Sequence, residues 1–369
     1  MQVAFDVGPM RAQPAGVGLY VASLGAALAE VLGPAELAYI GHRPDAASLP
    51  AAILTLGRSA RLPYPVWLEL LAARDAKRTG ADVVHYTDGL VPTVRHGRTV
   101  VTVLDLSLVR QWRAHRVPRY ARIPLVLAAP HLADLVVVPS RATADEVIRL
   151  ARVAASKIVV IPLAARPDVG PTDPETMAVV LTRHGLATCP YILALGTIEP
   201  RKNHLRLVHA FEQLVAGRLI GDDVVLAIAG KRGWGDAPVM EAIERSPARD
   251  RIRVLGYVSD VDLPALLTGA AVAVYISVYE GFGLPVLEAM ACGAPVLTSS
   301  VSSLPEVAGD AAVLVDPHDV VAISRELATL LNEDEEDRAQ RRAAGLVRAA
   351  AFSWERTARQ MQTVYGLVK

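Results

Sequence analysis

Glu280 and Glu288 stand eight positions apart in EGFGLPVLEAMACGAPV, on either side of a glycine-rich turn. The strand-like run AVAVYIS leads into this segment. Pro285 suits the first turn of a helix, because the N–H it lacks would be unpaired there in any case. Gly293 and Pro295 end that helix and APVLTS begins the next strand. The backbone N–H groups at Gly283 and Leu284 then point out of a helix start at the carboxyl end of a strand, an arrangement that binds phosphate. Glycines at 281 and 283 let the main chain approach a ligand closely. Glu288 lies about one turn inside the helix. A bound diphosphate would repel it, so its sensible partner is a neutral diol such as a ribose. The plainer reading, a first-turn glutamate serving only the helix dipole, is outweighed by the complete strand, glycine, proline and helix context.

Cations stand near a second strand end. In LALGTIEPRKNHLRLVHAFEQL a strand ends at Gly196 and a helix starts near Asn203, an acceptable N-cap. Arg201 and Lys202 fall in the connecting loop, where two adjacent cations neutralise a diphosphate without a metal. Only five of the 38 basic residues are lysine, so the placement of Lys202, and of Lys231 in AGKRGWG after another strand, carries weight. Asp260 and Asp262 in SDVDLP have the D-x-D spacing that some transferases use for a divalent cation. Capping of the helix that contains Pro264 explains them better, so neither a metal nor a cofactor is expected.

The first half of the chain is less explicit. Gly16 and Gly18 in QPAGVGLY admit either a phosphate or a tight turn, and Asp105 in TVLDLS ends a strand. His85 and Tyr86 end another and are candidates for the acceptor side, although a lone histidine there more often serves structure. Arg110, Arg113, Arg116, Arg119 and Arg122 recur every third residue, on one slowly turning helical face disturbed by Pro118. A solvated face explains them more simply than an anionic acceptor or an anionic lipid surface.

The elements that must position these residues follow one rhythm. QVAFDV, DVVHY, TVVTVLD, LVVVPS and KIVVIP alternate with helical patterns, then PLAARPDVGPTDP breaks the periodicity. The rhythm restarts with YILALG, VVLAIAG, IRVLGY, AVAVYIS, APVLTS and AAVLVD. This is βαβ alternation in two halves. It predicts two doubly wound, Rossmann-like α/β domains facing each other across a cleft, with Asp105 toward that cleft and ligands at the carboxyl ends of strands. The expected boundaries are 1–165, 166–352 and a final helix over 353–369. The 369 residues suffice for two domains, and 52% hydrophobic content excludes disorder. A formal net charge of zero leaves no global field for nucleic acid. Two cysteines, Cys189 and Cys292, form neither a disulfide framework nor a zinc pattern, which fits a reducing cytoplasm. The start does not read as a signal peptide. The most apolar region, 125–139, is interrupted by Pro130, His131 and Asp134 and is too short to span a bilayer.

Taken together the motifs resemble a known family. VYEGFGLPVLEAMACGAPV is similar to the E-x7-E signature of retaining GT-B glycosyltransferases of the GT4 type. GTIEPRKN, GKRGWG, GYVSDVDL and SSLPEVAGDAAVLVDP resemble its mannosyltransferase-like branch. The resemblance implies a nucleotide-sugar donor, GDP-mannose favoured, held mainly by the second domain, and a glycan or lipid-linked acceptor, as in polysaccharide or glycoconjugate synthesis. It implies that Arg201 and Lys202 hold the diphosphate, helped by the backbone of Gly283 and Leu284; Lys231 on the same rim and Gly281 and Phe282 in the same turn are further donor-binding candidates. Glu288 takes the ribose hydroxyls, Glu280 the donor sugar, and the Tyr257–Val258 backbone the base. Gly18 approaches the phosphate from the first domain, Asp105 joins Glu280 as a catalytic candidate, and the helix around Trp354 crosses back to the first domain. Retention is implied by front-side attack, the leaving phosphate taking the acceptor's proton, with domain closure excluding water. Cytoplasmic placement, peripheral at the inner membrane face, accompanies a lipid-linked acceptor.

The sequence departs from the family pattern twice. Thr197 follows Gly196 where an arginine is common, and Leu104 stands where relatives commonly carry a histidine before Asp105. An aliphatic side chain neither donates a hydrogen bond nor moves a proton. A nucleotide-sugar-binding subunit without transfer therefore stays as an alternative, beside a sugar phosphorylase or epimerase on the same fold. A nicotinamide dehydrogenase is disfavoured, because no G-x-G-x-x-G joins a first strand to its helix.

Overall fold

The computed structural model describes residues 1–10, 16–41, 54–56, 63–110 and 122–368. Most of the arginine run, including Arg113, Arg116 and Arg119, lies outside them, as do residues 13–15 of the QPAGVGLY segment. The described residues form two all-parallel sheets, in two compact units: 1–164 with 352–369, and 165–351.

In the first unit the strands are β1 (Val3–Asp6), β2 (Leu37–Gly41), β3 (Leu54–Leu56), β4 (Val83–Tyr86), β5 (Arg98–Thr102), β6 (Leu135–Val138) and β7 (Ile158–Val160). Their order is β3-β2-β1-β4-β5-β6-β7, with Val3 paired to Leu37 on one side and Val83 on the other. The β-branched runs form strands because helices bury both faces of a parallel sheet, so no alternation with polar residues is required. The apolar region 125–139 divides into the helix Ile123–Leu132, which runs through Pro130, and strand β6. Among the described residues no helix is long and apolar enough to cross a membrane.

The chain returns to this unit at Phe352. Ser353 caps the helix Trp354–Leu367 by accepting from the Arg356 N–H at 3.1 Å. That helix packs on Val17–Leu32, and the Thr357 hydroxyl donates to the Pro162 carbonyl at 2.8 Å. His85 is fully buried beneath it. One ring nitrogen bonds the Tyr365 hydroxyl at 2.8 Å and the other bonds Thr102 Oγ1 at 2.7 Å, which in turn meets the Tyr20 hydroxyl at 2.8 Å.

The second unit holds β8 (Tyr191–Leu195), β9 (Val225–Ala229), β10 (Ile252–Gly256), β11 (Val272–Tyr275), β12 (Val296–Ser299) and β13 (Val313–Val315). Their order is β10-β9-β8-β11-β12-β13. The chain therefore moves outward from β8 and reverses at β11. The carboxyl ends of β8 and β11 lie side by side at that reversal, the place where open α/β sheets bind ligands. An apolar core in which Phe211, Leu226 and Leu297 are fully buried packs against the sheet.

Candidate active site

At the switch point the loops after β8 and β11 converge. Arg201 and Lys202 lie in a short 3-10 turn, Pro200–Lys202. The Lys202 ammonium is 2.7 Å from Glu280 Oε1, and the Arg201 guanidinium is 2.8 Å from Glu280 Oε2. Tyr275, the last residue of β11, donates its hydroxyl to Glu280 Oε1 at 2.9 Å and also meets Lys202. Arg201 has a second carboxylate, Glu199, at 3.0 Å. Burial works against the charge on Glu280, but Lys202 and Arg201 outweigh it and hold its pKa below the ordinary value. Burial pulls the Lys202 pKa down, against the pull of Glu280. Two cations and two carboxylates thus balance in a half-closed cluster.

The glycine turn is built as the sequence predicts. Gly283 has φ +118°, and a Cβ there would lie 2.7 Å from a Leu304 methyl, so only glycine fits. Ser303 donates to the carbonyls of Glu280 and Phe282 at 2.9 and 2.6 Å, which pins the loop. The helix Leu284–Ala291 starts there with Pro285 in its first turn, and its leading N–H groups lack intrahelical acceptors. It ends at Cys292 with Gly293 in a left-handed conformation. The Cys292 thiol is buried and pushed up to about 12, which removes it as a nucleophile.

Glu288 is buried, 5% exposed, on that helix. Burial raises its pKa, and the partner opposing this is Arg166, whose Nε donates to Glu288 Oε1 at 2.7 Å. Arg166 also bonds Asp260. Arg166 went unnoticed in the sequence because it sits in the aperiodic 162–173 stretch, 122 positions before its partner. The loops after β8 and β9 are tied by the Ile198 N–H donating to the Lys231 carbonyl at 2.9 Å. Gly230 is needed there, since a Cβ would lie 2.0 Å from the Gly196 carbonyl oxygen. Lys231 places its ammonium 4.4 Å from the ring centre of Tyr257, which is 53% exposed beside Val258 after β10.

Three expectations need correction. Asn203 occupies the N-cap position but makes no cap bond; its amide turns inward and donates to the carbonyls of Ile276 and Pro317. Asp262 likewise makes no cap bond, because Arg183 and His184 take its carboxylate at 2.7 and 3.1 Å. Asp260 is held by Arg166 instead of a helix start. His85 and Tyr86 do not face an acceptor: both are fully buried, His85 in the network under the last helix and Tyr86 in the first unit's core. Among the described residues no cluster of three or more metal-ligating side chains occurs.

Asp105 and Leu104 line a cavity of about 330 Å³ in the first unit, with Thr87, Asp88, Ser107 and Arg122. Asp105 Oδ1 accepts from the Ser107 amide at 2.9 Å and hydroxyl at 2.7 Å, while Arg122 pairs with Asp88 at 2.9 Å. Gly18 is buried in the first turn of the helix Val17–Leu32.

Comparison with known proteins fits this geometry. The family model of group 1 glycosyl transferases matches residues 184–346, and that of glycosyltransferase family 4 matches residues 14–168. The O-antigen chain mannosyltransferase B of Escherichia coli is 38% identical over 298 residues, 80% of this chain and 76% of that one. The chain belongs to the GT4-type glycosyltransferases. A second relative in this family, the MMP alpha-(1->4)-mannosyltransferase of Mycolicibacterium hassiacum, is 30% identical over 332 residues, 83% of this chain and 76% of that one. Among solved structures, Anabaena HepE in complex with UDP and glucose superposes with a TM-score of 0.76 at 16% identity, covering 99% of each chain, which shows the shared GT-B fold. This GT4-type chain is therefore a mannosyltransferase-like glycosyltransferase.

Proposed function

We propose that the chain is a retaining mannosyltransferase that moves mannose from a nucleoside diphosphate, GDP-mannose favoured, to a glycan or lipid-linked acceptor in cell-surface polysaccharide synthesis. The observation that carries this reading is the Arg201, Lys202, Tyr275 and Glu280 cluster beside the Gly283 turn, with Glu288 one helical turn further on. The named mannosyltransferase relatives support the sugar. The O-antigen chain mannosyltransferase among the relatives supports a polysaccharide acceptor.

Breaking a sugar–phosphate bond puts negative charge on the leaving diphosphate as an oxocarbenium-like centre develops. Arg201, Lys202 and the N–H groups at the Gly283 turn supply the opposing charge, and they act strongly because the site is partly closed to water. The balanced cluster implies an exchange: as the diphosphate draws the two cations, sugar hydroxyls replace them on Glu280. Glu288 receives the ribose diol and the Tyr257–Val258 segment the base. The acceptor oxygen bonds to the anomeric carbon on the face from which the phosphate departs, and the leaving phosphate takes its proton, so retention needs no carboxylate nucleophile. Asp105, in the first unit's cavity, borders the acceptor, and Leu104 makes that wall apolar.

A panel of GDP-, UDP- and dTDP-sugars, read by thermal shift, tests the assignment, because a ligand that binds only the native state raises its midpoint. GDP-mannose should give the largest rise, and Glu288→Ala should shrink it relative to that variant's own ligand-free midpoint. If no nucleotide sugar or nucleoside diphosphate moves the midpoint, the transferase reading fails.

A further inference from the structure

We propose that Arg166 is a positioning residue of the donor site, aiming the Glu288 carboxylate at a ribose diol and tying it to the loop that carries Asp260. The inference rests on the nucleotide-sugar reading above. Arg166 is the ion-pair partner of Glu288, and the contact runs from Nε to Oε1 at 2.7 Å. The same guanidinium bonds Asp260, three residues after Tyr257. Its side chain is 15% exposed, between Glu288 at 6% and Asp260 at 65%, so the arginine bridges a buried carboxylate to an exposed one.

A planar guanidinium fixes the orientation of the carboxylate it binds, which a flexible ammonium does less well. Pro167 follows and restricts the backbone of Arg166, which limits where that fork can point. Glu288 Oε2 has no hydrogen-bond partner among the described residues. One edge of the carboxylate is therefore clamped while the other stays available to two hydroxyls. With Nε committed to Glu288 and one terminal nitrogen to Asp260, Arg166 is assigned to orienting Glu288 and not to holding the diphosphate. Its effect on the donor must act through the ribose.

The experiment compares GDP and UDP with their 2′,3′-dideoxy forms, titrated calorimetrically against the full-length protein and against Arg166→Gln and Arg166→Lys. Wild type should prefer the ribose form on the order of tenfold or more, as expected for hydrogen bonds to a charged group. Arg166→Gln should bring the ribose form to within about twofold of the dideoxy form, leaving dideoxy affinity unchanged. Arg166→Lys should restore part of the preference. An undiminished preference in Arg166→Gln overturns the proposal. Equal weakening of both forms overturns it too, since that marks a purely structural ion pair. Wild type binding both forms equally refutes the role of Arg166 and leaves the donor site standing. Wild type binding neither form of either nucleotide refutes the donor site itself, and this inference with it.

Discussion

At the scale of residues, the Glu280 cluster is a buried ion pair with two extra members. Removing one partner from a buried pair leaves an uncompensated charge, which costs about 3–5 kcal/mol when nothing else answers it. Arg201 still faces Glu280 when Lys202 is gone, so Lys202→Met should cost less than that range. Glu280→Gln should be the more damaging change, because it strands Lys202 while Arg201 keeps Glu199. The double variant should recover part of the loss, with a coupling energy of about 1–3 kcal/mol in urea unfolding. Strict additivity of the two single changes would show that the pair does not couple and that the cluster is held from elsewhere.

At the scale of elements, the last helix is fastened to the first unit by a polar bond under its apolar face. Tyr365→Phe keeps the packing but leaves a nitrogen of fully buried His85 without its partner. The expected loss is about 1–3 kcal/mol, whereas removing the exposed cap with Ser353→Ala should cost about 1 kcal/mol. A Tyr365→Phe midpoint indistinguishable from wild type would show that the bond contributes nothing. This element also marks where the sequence could be read. Strand runs such as AVAVYIS and the E-G-F-G-L-P turn were legible because burial and backbone constraint act on neighbouring residues. Glycine at 283 and proline at 285 announce a local geometry wherever they occur together. Asn203, Asp262, His85 and Arg166 were misread or missed because their partners lie 73 to 280 positions away. Propensity says what caps a helix start, but a buried carbonyl or arginine competes for the same side chain and wins.

At the scale of the whole molecule, pH acts on each unit through groups that folding buries. In the first unit burial lowers His85 to about 3, and burial raises Asp6 to about 7 despite bonds from the Tyr64 hydroxyl and the Gly8 amide. The signs oppose each other. Between about pH 3 and 6.5 the unfolded histidine holds a proton that native His85 does not, so stability rises with pH. From about pH 3.8 to 7 native Asp6 holds a proton that the unfolded chain has lost, so stability falls with pH. Over the shared window the two slopes nearly cancel, and in the second unit His204, lowered by burial to about 4, is likewise opposed by Glu288, whose pKa burial raises. Asp6→Asn should expose the histidine slope. The variant's Oδ1 can still accept from the Gly8 amide, and it escapes the ionisation that penalises wild type above pH 7. Its stability relative to wild type should therefore improve from pH 5 to pH 8, read as urea midpoints of the first unit. A difference that does not change with pH would mean that Asp6 is already ionised in the native protein, with the Tyr64 and Gly8 donors outweighing its burial.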